Sequence, residues 1–375
     1  MLSTYIVNLN PKQIQQFQQS LIKWYKRHQR PLPWRATSDP YYIWISEVML
    51  QQTQVNTVIP YYLKFIQQYP TLKDLAAASL QNVLKSWEGL GYYSRARNFH
   101  KAAKMIIKDH NGRIPEDSSE FNKLPGVGDY LTAAVQSIAF HQPLAVVDGN
   151  VKRVLARIFQ MNEPVNSSKM LKDFKKYADK MLLPSQPGTF NQAMMELGAI
   201  ICKPAQPICK DCPVRKFCLS FNKGATRKFP KRLPSKTVPE YHIAAAIVQK
   251  NGRLLITQRK PEGLLGGLWE FPGGKVMKKE SPENACVREI KEEVNLEIKV
   301  SSHLVLVYHA YTHFKIKMDV YLCVYVSGKI KLNGPVDCKW IFPSKIKDYP
   351  FPKANHKFFP SLFEALLIAK NKKSK

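Results

Sequence analysis

Apolar residues in this chain change their spacing part-way along, and no single layer of secondary structure accommodates both spacings. From Asn10 to about Cys218 the period is helical. Asn10 can cap, Pro11 suits a first turn, and Ile14, Phe17, Leu21 and Trp24 follow on one face. Further helical segments are expected at 44–57, 60–68, 81–86, 95–108, 129–139, 149–159, 168–182 and 190–201. Beyond residue 239 the period is two. Ile243–Val248 and Leu254–Thr257 flank Asn251-Gly252, a hairpin signal, and Phe314, Ile316, Met318, Val320, Leu322, Val324 and Val326 alternate as a half-buried strand. Between them lie a Gly-rich loop at 263–274 and an amphipathic helix near 282–294. The expectation is a multidomain chain: an all-α domain over 1–220, a basic linker over 221–239, and an α+β domain over 240–375 that ends in a basic tail from Asn371 to Lys375.

The linker carries Lys223, Arg227, Lys228, Lys231, Arg232 and Lys236 with Pro230, Pro234 and Pro239, and no acidic residue. It suits either a segment laid along phosphate or a solvated spacer. The whole chain has 375 residues with 57 Lys plus Arg against 28 Asp plus Glu, a formal charge of +29. That surplus points to a polyanionic partner, nucleic acid before an acidic membrane surface. A hydrophobic content of 45% is enough for real cores and excludes a disordered basic tail. No stretch approaches the ~20 apolar residues of a spanning helix. The first ten residues lack a basic-then-apolar leader and the first arginine is Arg27, so neither a signal nor a transit peptide is expected.

Cys202, Cys209, Cys212 and Cys218 form the pattern C-x6-C-x2-C-x5-C, while Cys286, Cys323 and Cys338 are scattered. Thiols this crowded suggest a metal or cluster site in a reducing, intracellular compartment. Zinc and a [4Fe–4S] cluster both accept four thiolates, so ligand count does not choose between them. Leu124-Pro125-Gly126-Val127-Gly128 joins two helical segments, and glycines at this spacing let backbone N–H groups approach an anion. Past Pro143 comes Asp148, ahead of a helix, a position that taken alone suits an N-cap.

Taken together, the cysteine spacing, the hairpin at about 119–139 and the following aspartate resemble the endonuclease III superfamily of helix-hairpin-helix DNA glycosylases. Ser46-Glu47-Val48-Met49-Leu50-Gln51-Gln52-Thr53-Gln54-Val55 closely resembles a segment of the MutY family of adenine DNA glycosylases. Trp34, Leu90-Gly91-Tyr92-Tyr93 and Asn191–Gly198 resemble that family too, and the likeness runs from about residue 14 to 218. It implies an iron–sulfur loop at 202–218 ligated by the four cysteines, a monomer, and intracellular work on double-stranded DNA bearing A:8-oxoguanine or A:G mispairs, which in a bacterial cell would mean the cytoplasm or nucleoid. Chemistry makes sense of it. Adenine leaves poorly unless a ring nitrogen is protonated, and the sugar it leaves becomes oxocarbenium-like, so one carboxyl must be protonated and another ionised. Glu47, flanked by Trp44, Ile45, Val48 and Met49, suits the acid, and Asp148 at a helix N-terminus suits the anion. The resemblance further implies Tyr130 and Asn150 beside the sugar, Gln52 and Leu90 in the vacated stack, Tyr92 as a wedge, and Gly126 and Gly128 on DNA backbone. Superfamily members that also cut the strand carry a lysine in the hairpin; here the hairpin continues Asp129-Tyr130-Leu131, so base excision without efficient strand cleavage is expected.

In the second domain Gly274, Glu280 and Arg288-Glu289-Ile290-Lys291-Glu292-Glu293 resemble the Nudix box. Glu289, Glu292 and Glu293 share a helix face that can hold Mg²⁺, or can simply be a solvated acidic face. Asn295 stands where the box has glycine, at a left-handed helix end that Asn tolerates. Adenine glycosylases of this family carry a Nudix-like domain that reads 8-oxoguanine, and His309-Ala310-Tyr311-Thr312-His313-Phe314 resembles its Phe-Ser-His loop, which marks Tyr311, Thr312 and His313 as lesion contacts.

Overall fold

The computed structural model describes residues 9–234 and 237–373. By packing the chain forms two compact units, one of residues 1–76 with 101–235, the other of 77–100 with 236–375.

The first unit is helical: α1 Pro11–His28, α2 Pro40–Leu50, α3 Val55–Gln68 and α4 Leu72–Ala77 come first. Next in the chain are α5 Leu80–Ser86 and the start of α6 Tyr93–Asp109, which belong to the second unit, and then α7 Ser118–Asn122, α8 Asp129–Ala139, α9 Gly149–Ile158, α10 Leu171–Met181 and α11 Pro187–Glu196 of the first. Asn10 and Gln13 close a capping box at the start of α1, and Asp39 caps α2 ahead of Pro40. The single segment expected at 44–57 is two helices. Gln52 sits at φ 58° in a turn that Thr53 N–H closes onto the Leu50 carbonyl, so α2 stops and α3 starts afresh. The core gathers Phe17, Leu21 and Trp24 of α1 with Val154 and Leu155 of α9, Phe174 of α10 and Phe190 of α11.

The second unit is built on a mixed seven-stranded sheet: β1 Glu240–Lys250, β2 Arg253–Gln258, β3 Trp269–Glu270, β4 Gly273–Lys275, β5 Glu297–Ala310, β6 Lys315–Ser327 and β7 Asp337–Ile341. The path runs β3-β2-β1-β6-β5, with β4 on β1 and β7 on β2. β1 pairs with β6 in parallel and the other pairs are antiparallel. Period two sorts β1 cleanly. Ala244, Ala246 and Val248 pack with Cys286, Ile290 and Val294 of the helix α12, Pro282–Val294. Ala245 and Ile247 pack instead with Phe351, Phe358 and Leu362, the last on a helix over Phe359–Lys373. Both faces of the sheet are therefore covered, which is why β1 is a continuous apolar run.

Three details depart from the sequence expectations. The expected tail begins inside a helix that continues to Lys373, and its last two residues lie outside the described ones. The linker as far as residue 234 is fixed to the first unit: Val165 N–H reaches the Lys231 carbonyl, and Asn166 exchanges two hydrogen bonds with the Leu233 backbone. Its Ser235 and Lys236 lie outside the described residues. Finally, residues 77–100 pack with the second unit, though the division at residue 220 assigns them to the first. The Trp269 indole donates to Gln81 at 2.8 Å, Arg97 donates to the Gly266 carbonyl at 2.8 Å, and Glu88 accepts from Phe351 N–H at 2.7 Å. No helix among the described residues is long and apolar enough to cross a membrane.

Candidate active site

Glu47 lies near the end of α2, whose other late residues are almost all buried, so its carboxyl is carried inward with them. It is 5% exposed. Tyr130, on the first turn of α8 just past the hairpin, donates its hydroxyl to Glu47 Oε2 at 2.5 Å. Asp148 is the N-cap of α9, accepting from Val151 N–H at 2.7 Å and from Asn150 Nδ2 at 2.9 Å. These four residues, predicted from scattered positions, line one pocket.

Burial pushes the Glu47 carboxyl up to about 7, opposed by the Tyr130 hydrogen bond and Arg35 and assisted by the charge of Asp148. Burial also raises Asp148, which the cap position alone led us to expect fully charged; the Val151 and Asn150 hydrogen bonds and Arg153 pull the other way. The two carboxyls therefore differ in solvation: Asp148 has several donors on its ionised form, Glu47 only one hydroxyl.

The opposite wall comes from α11. Glu196 lies 1% exposed and takes Arg30 Nε at 2.8 Å, Arg30 N–H at 3.1 Å and Arg35 Nη2 at 2.8 Å. These donors outweigh burial and hold its carboxyl down at about 2. Glu196, Arg30 and Arg35 all line the pocket, and sequence reasoning gave none of them a role. The available signal was a Glu amid the buried helical run Asn191–Gly198 with two arginines flanking a buried Trp34. Asn191 anchors the chain leading to Asp148, donating to the Leu144 carbonyl at 2.7 Å and accepting from Val146 N–H at 3.0 Å. Gly198 is required beside it, because a Cβ there would lie 2.5 Å from that of Asn150.

In the hairpin Gly126 adopts φ 77°, and Gly128 starts α8; both are exposed while Leu124 and Val127 are buried beneath them. Gln52 is exposed at its left-handed turn. The four clustered cysteines, none of them in a disulfide, line one pocket with Arg157, Ile201 and Phe221. Among the described residues no three His, Cys, Asp or Glu side chains come close enough to hold a single metal ion.

In the second unit a separate pocket brings together Leu90, Tyr92, Tyr311, Thr312 and His313. The Tyr92 hydroxyl donates to Thr312 Oγ1 at 2.5 Å, and the His313 ring meets Tyr92 edge-on at 6.4 Å. Tyr311 turns its ring onto Phe314, stacked at 4.7 Å. Leu90 is buried and forms part of the wall of this pocket. On the Nudix-like helix the acidic face is not simply solvated. Arg288 occupies its carboxylates, at 2.8 Å from Glu280, 2.9 Å from Glu289 and 3.0 Å from Glu292. Glu293 accepts from Gly273 N–H, and burial, assisted by the charge of Glu270, pushes it up to about 8. Asn295 ends that helix at φ 58°, as its position implied.

Residues 45–180 match the model of the HhH-GPD superfamily of base excision DNA repair proteins, and residues 243–360 match that of the NUDIX domain. The chain is 35% identical to the adenine DNA glycosylase of Mus musculus over 359 residues, covering 81% of this chain and 70% of that protein. It is 34% identical to that of Homo sapiens over 396 residues, covering 91% and 72%. Its fold resembles a thermostable thymine-DNA glycosylase, with a TM-score of 0.52 at 30% identity over 56% of this chain and 98% of that one. It also resembles endonuclease III trapped as a covalent intermediate with DNA, with a TM-score of 0.50 at 27% identity over 58% and 99%.

Proposed function

From the premise that this chain belongs to the adenine DNA glycosylase family, and is a DNA repair N-glycosylase acting on DNA, we propose that it removes adenine mispaired with 8-oxoguanine or guanine, in two carboxyl-dependent steps. The adenine leaves the duplex for the Glu47–Asp148 pocket. Glu47 gives its proton to N7 as the C1′–N9 bond breaks, and the bonding pair departs with adenine. Tyr130 holds one oxygen of Glu47, leaving the other to carry the proton. The Asp148 carboxylate, held by Val151 and Asn150, faces the cationic sugar until water adds at C1′ and returns a proton to Glu47. Glu196, ionised between two arginines, is an acceptor placed for the exocyclic amine of adenine. Tyr130 stands where a strand-cutting enzyme needs an amine, so the product is an intact abasic strand.

The observation that carries this reading is the meeting of Glu47, Tyr130 and Asp148 in one buried pocket. The Tyr92–Thr312 pair supports a reader of the opposite base in the second unit. The enzyme works wherever the cell keeps its DNA.

The four thiols suit a [4Fe–4S] cluster held by Cys202, Cys209, Cys212 and Cys218. All four line one pocket, and four thiolates are the donor set such a cluster takes. When bound it supplies a rigid fastening for the basic loop of Lys210, Arg215 and Lys216.

The test is single-turnover excision on duplexes with A opposite 8-oxoguanine, A opposite G, and T opposite G, with and without alkali. Adenine loss fastest opposite 8-oxoguanine, with breaks only after alkali, is the expected result. Release of thymine alone overturns the pocket assignment, and excision of A indifferent to the opposite base overturns the reader.

A further inference from the structure

Arg157 sits on α9, 2% exposed. Its Nε donates to the carbonyls of Thr226 and Phe229 at 3.2 and 2.9 Å. Nη1 donates to the carbonyl of Lys203 at 2.7 Å and to Cys202, at 3.3 Å from its carbonyl and 3.2 Å from Sγ. Nη2 donates to the Pro204 carbonyl at 2.7 Å. Every one of these acceptors is a neutral carbonyl except the sulfur. A buried guanidinium without a counter-charge is expensive, and the Cys202 sulfur is the acceptor among them that can carry a negative charge. Both groups line the cysteine pocket.

We infer that Arg157 is the built-in counter-charge of the cluster, a positioning residue that holds the Cys202 ligand and sets how easily the cluster loses an electron. The inference rests on the cluster reading above. A donated N–H and a positive charge draw electron density from the ligating sulfur, so they favour the more reduced and more negative cluster. Their removal lowers the midpoint potential and makes oxidation easier. Because the same guanidinium ties Thr226 and Phe229 to Lys203 and Pro204, it also locks the cysteine loop to the segment that follows it.

The experiment uses the full chain purified with its cluster. Iron and sulfide are first counted in the wild type: their absence overturns the cluster reading and this inference with it. The midpoint potential and the rate of cluster bleaching by ferricyanide are then compared among wild type, Arg157→Gln, Arg157→Lys and Arg215→Gln. Arg215 also lines the pocket, but it donates to the Lys210 carbonyl. Expected are a lower midpoint and about tenfold faster bleaching in Arg157→Gln, an intermediate midpoint in Arg157→Lys, and wild-type values in Arg215→Gln. If Arg157→Gln does not fold, Arg157→Lys decides by the same two readings. A wild-type midpoint in a folded, loaded Arg157 variant overturns the inference while leaving the cluster reading intact, and so does an equal shift in Arg215→Gln.

Discussion

Glu47 and Glu196 face each other's pocket wall with opposite proton affinities, and each difference is a statement about pH. Glu47 rises from 4.5 to about 7 because burial disfavours its charge. A carboxyl raised by folding lends stability below its unfolded value, and that contribution disappears as pH rises through 7. At pH 8 the wild type therefore holds a buried, ionised Glu47 at a cost on the order of 3 kcal/mol. Glu47→Gln is expected to abolish excision yet raise stability at pH 8, measured by urea unfolding, with duplex binding retained. In the wild type, single-turnover excision is expected to decline above pH 7 as the acid form is lost. Glu196 behaves in the opposite sense: held at about 2 by Arg30 and Arg35, its contribution is present above 4.5 and vanishes as pH falls through 2. Glu196→Gln leaves two arginines without their anion and is expected to cost about 3–5 kcal/mol at pH 7, checked by the midpoint of thermal or urea unfolding.

At the scale of the element, close approach and irregular backbone matter most. Helices α8 and α11 pack so tightly that a Cβ on Gly188 would lie 2.5 Å from the Ser137 carbonyl oxygen and 2.7 Å from Ile138 Cα. Gly188→Ala is expected to destabilise the first unit by about 1–3 kcal/mol, since backbone cannot step aside as a side chain can; thermal unfolding checks it. Helices α1, α8, α9 and α12 are legible because their apolar spacing is local, as are the caps of α1, α9 and α12. Strand β5 is not, although it spans 14 residues. Register shifts at Glu297/Ile298, Val300/Ser302 and His303/Val305 break its alternation, so the period-two signal is scrambled where bulges insert residues. The break between α2 and α3 escaped notice for a similar reason: apolar residues continue through Leu50 and Val55, and only the backbone at Gln52 stops the helix.

For the whole molecule the dominant quantity is charge. A formal +29 spread over 375 residues makes phosphate contact the main source of DNA affinity. If six to ten phosphates are neutralised, affinity is expected to fall by about 10³–10⁵ between 50 and 200 mM salt. A binding titration across that range checks this; a flat response would show that charge is not what holds the duplex. The division into units is a tertiary matter. Residues 77–100 are helical like their neighbours, and nothing in their periodicity marks them off. They belong with the second unit because Gln81, Glu88 and Arg97 find partners there.

By itself the sequence determined what depends on nearest neighbours along the chain: the two periods, the Asn251-Gly252 turn, the caps, the cysteine spacing, and the motifs that named Glu47, Asp148 and the family resemblance. Only the tertiary structure decided what depends on partners far apart. Burial, a property of the assembled pocket, places the Glu47 proton near neutrality, while the Arg30 and Arg35 donors keep Glu196 charged against burial. It is side-chain pairing that gathers Glu280, Glu289 and Glu292 around Arg288 and aims the Arg157 guanidinium at Cys202. A carboxylate's spacing is written in one dimension; its proton and its counter-ion are chosen in three.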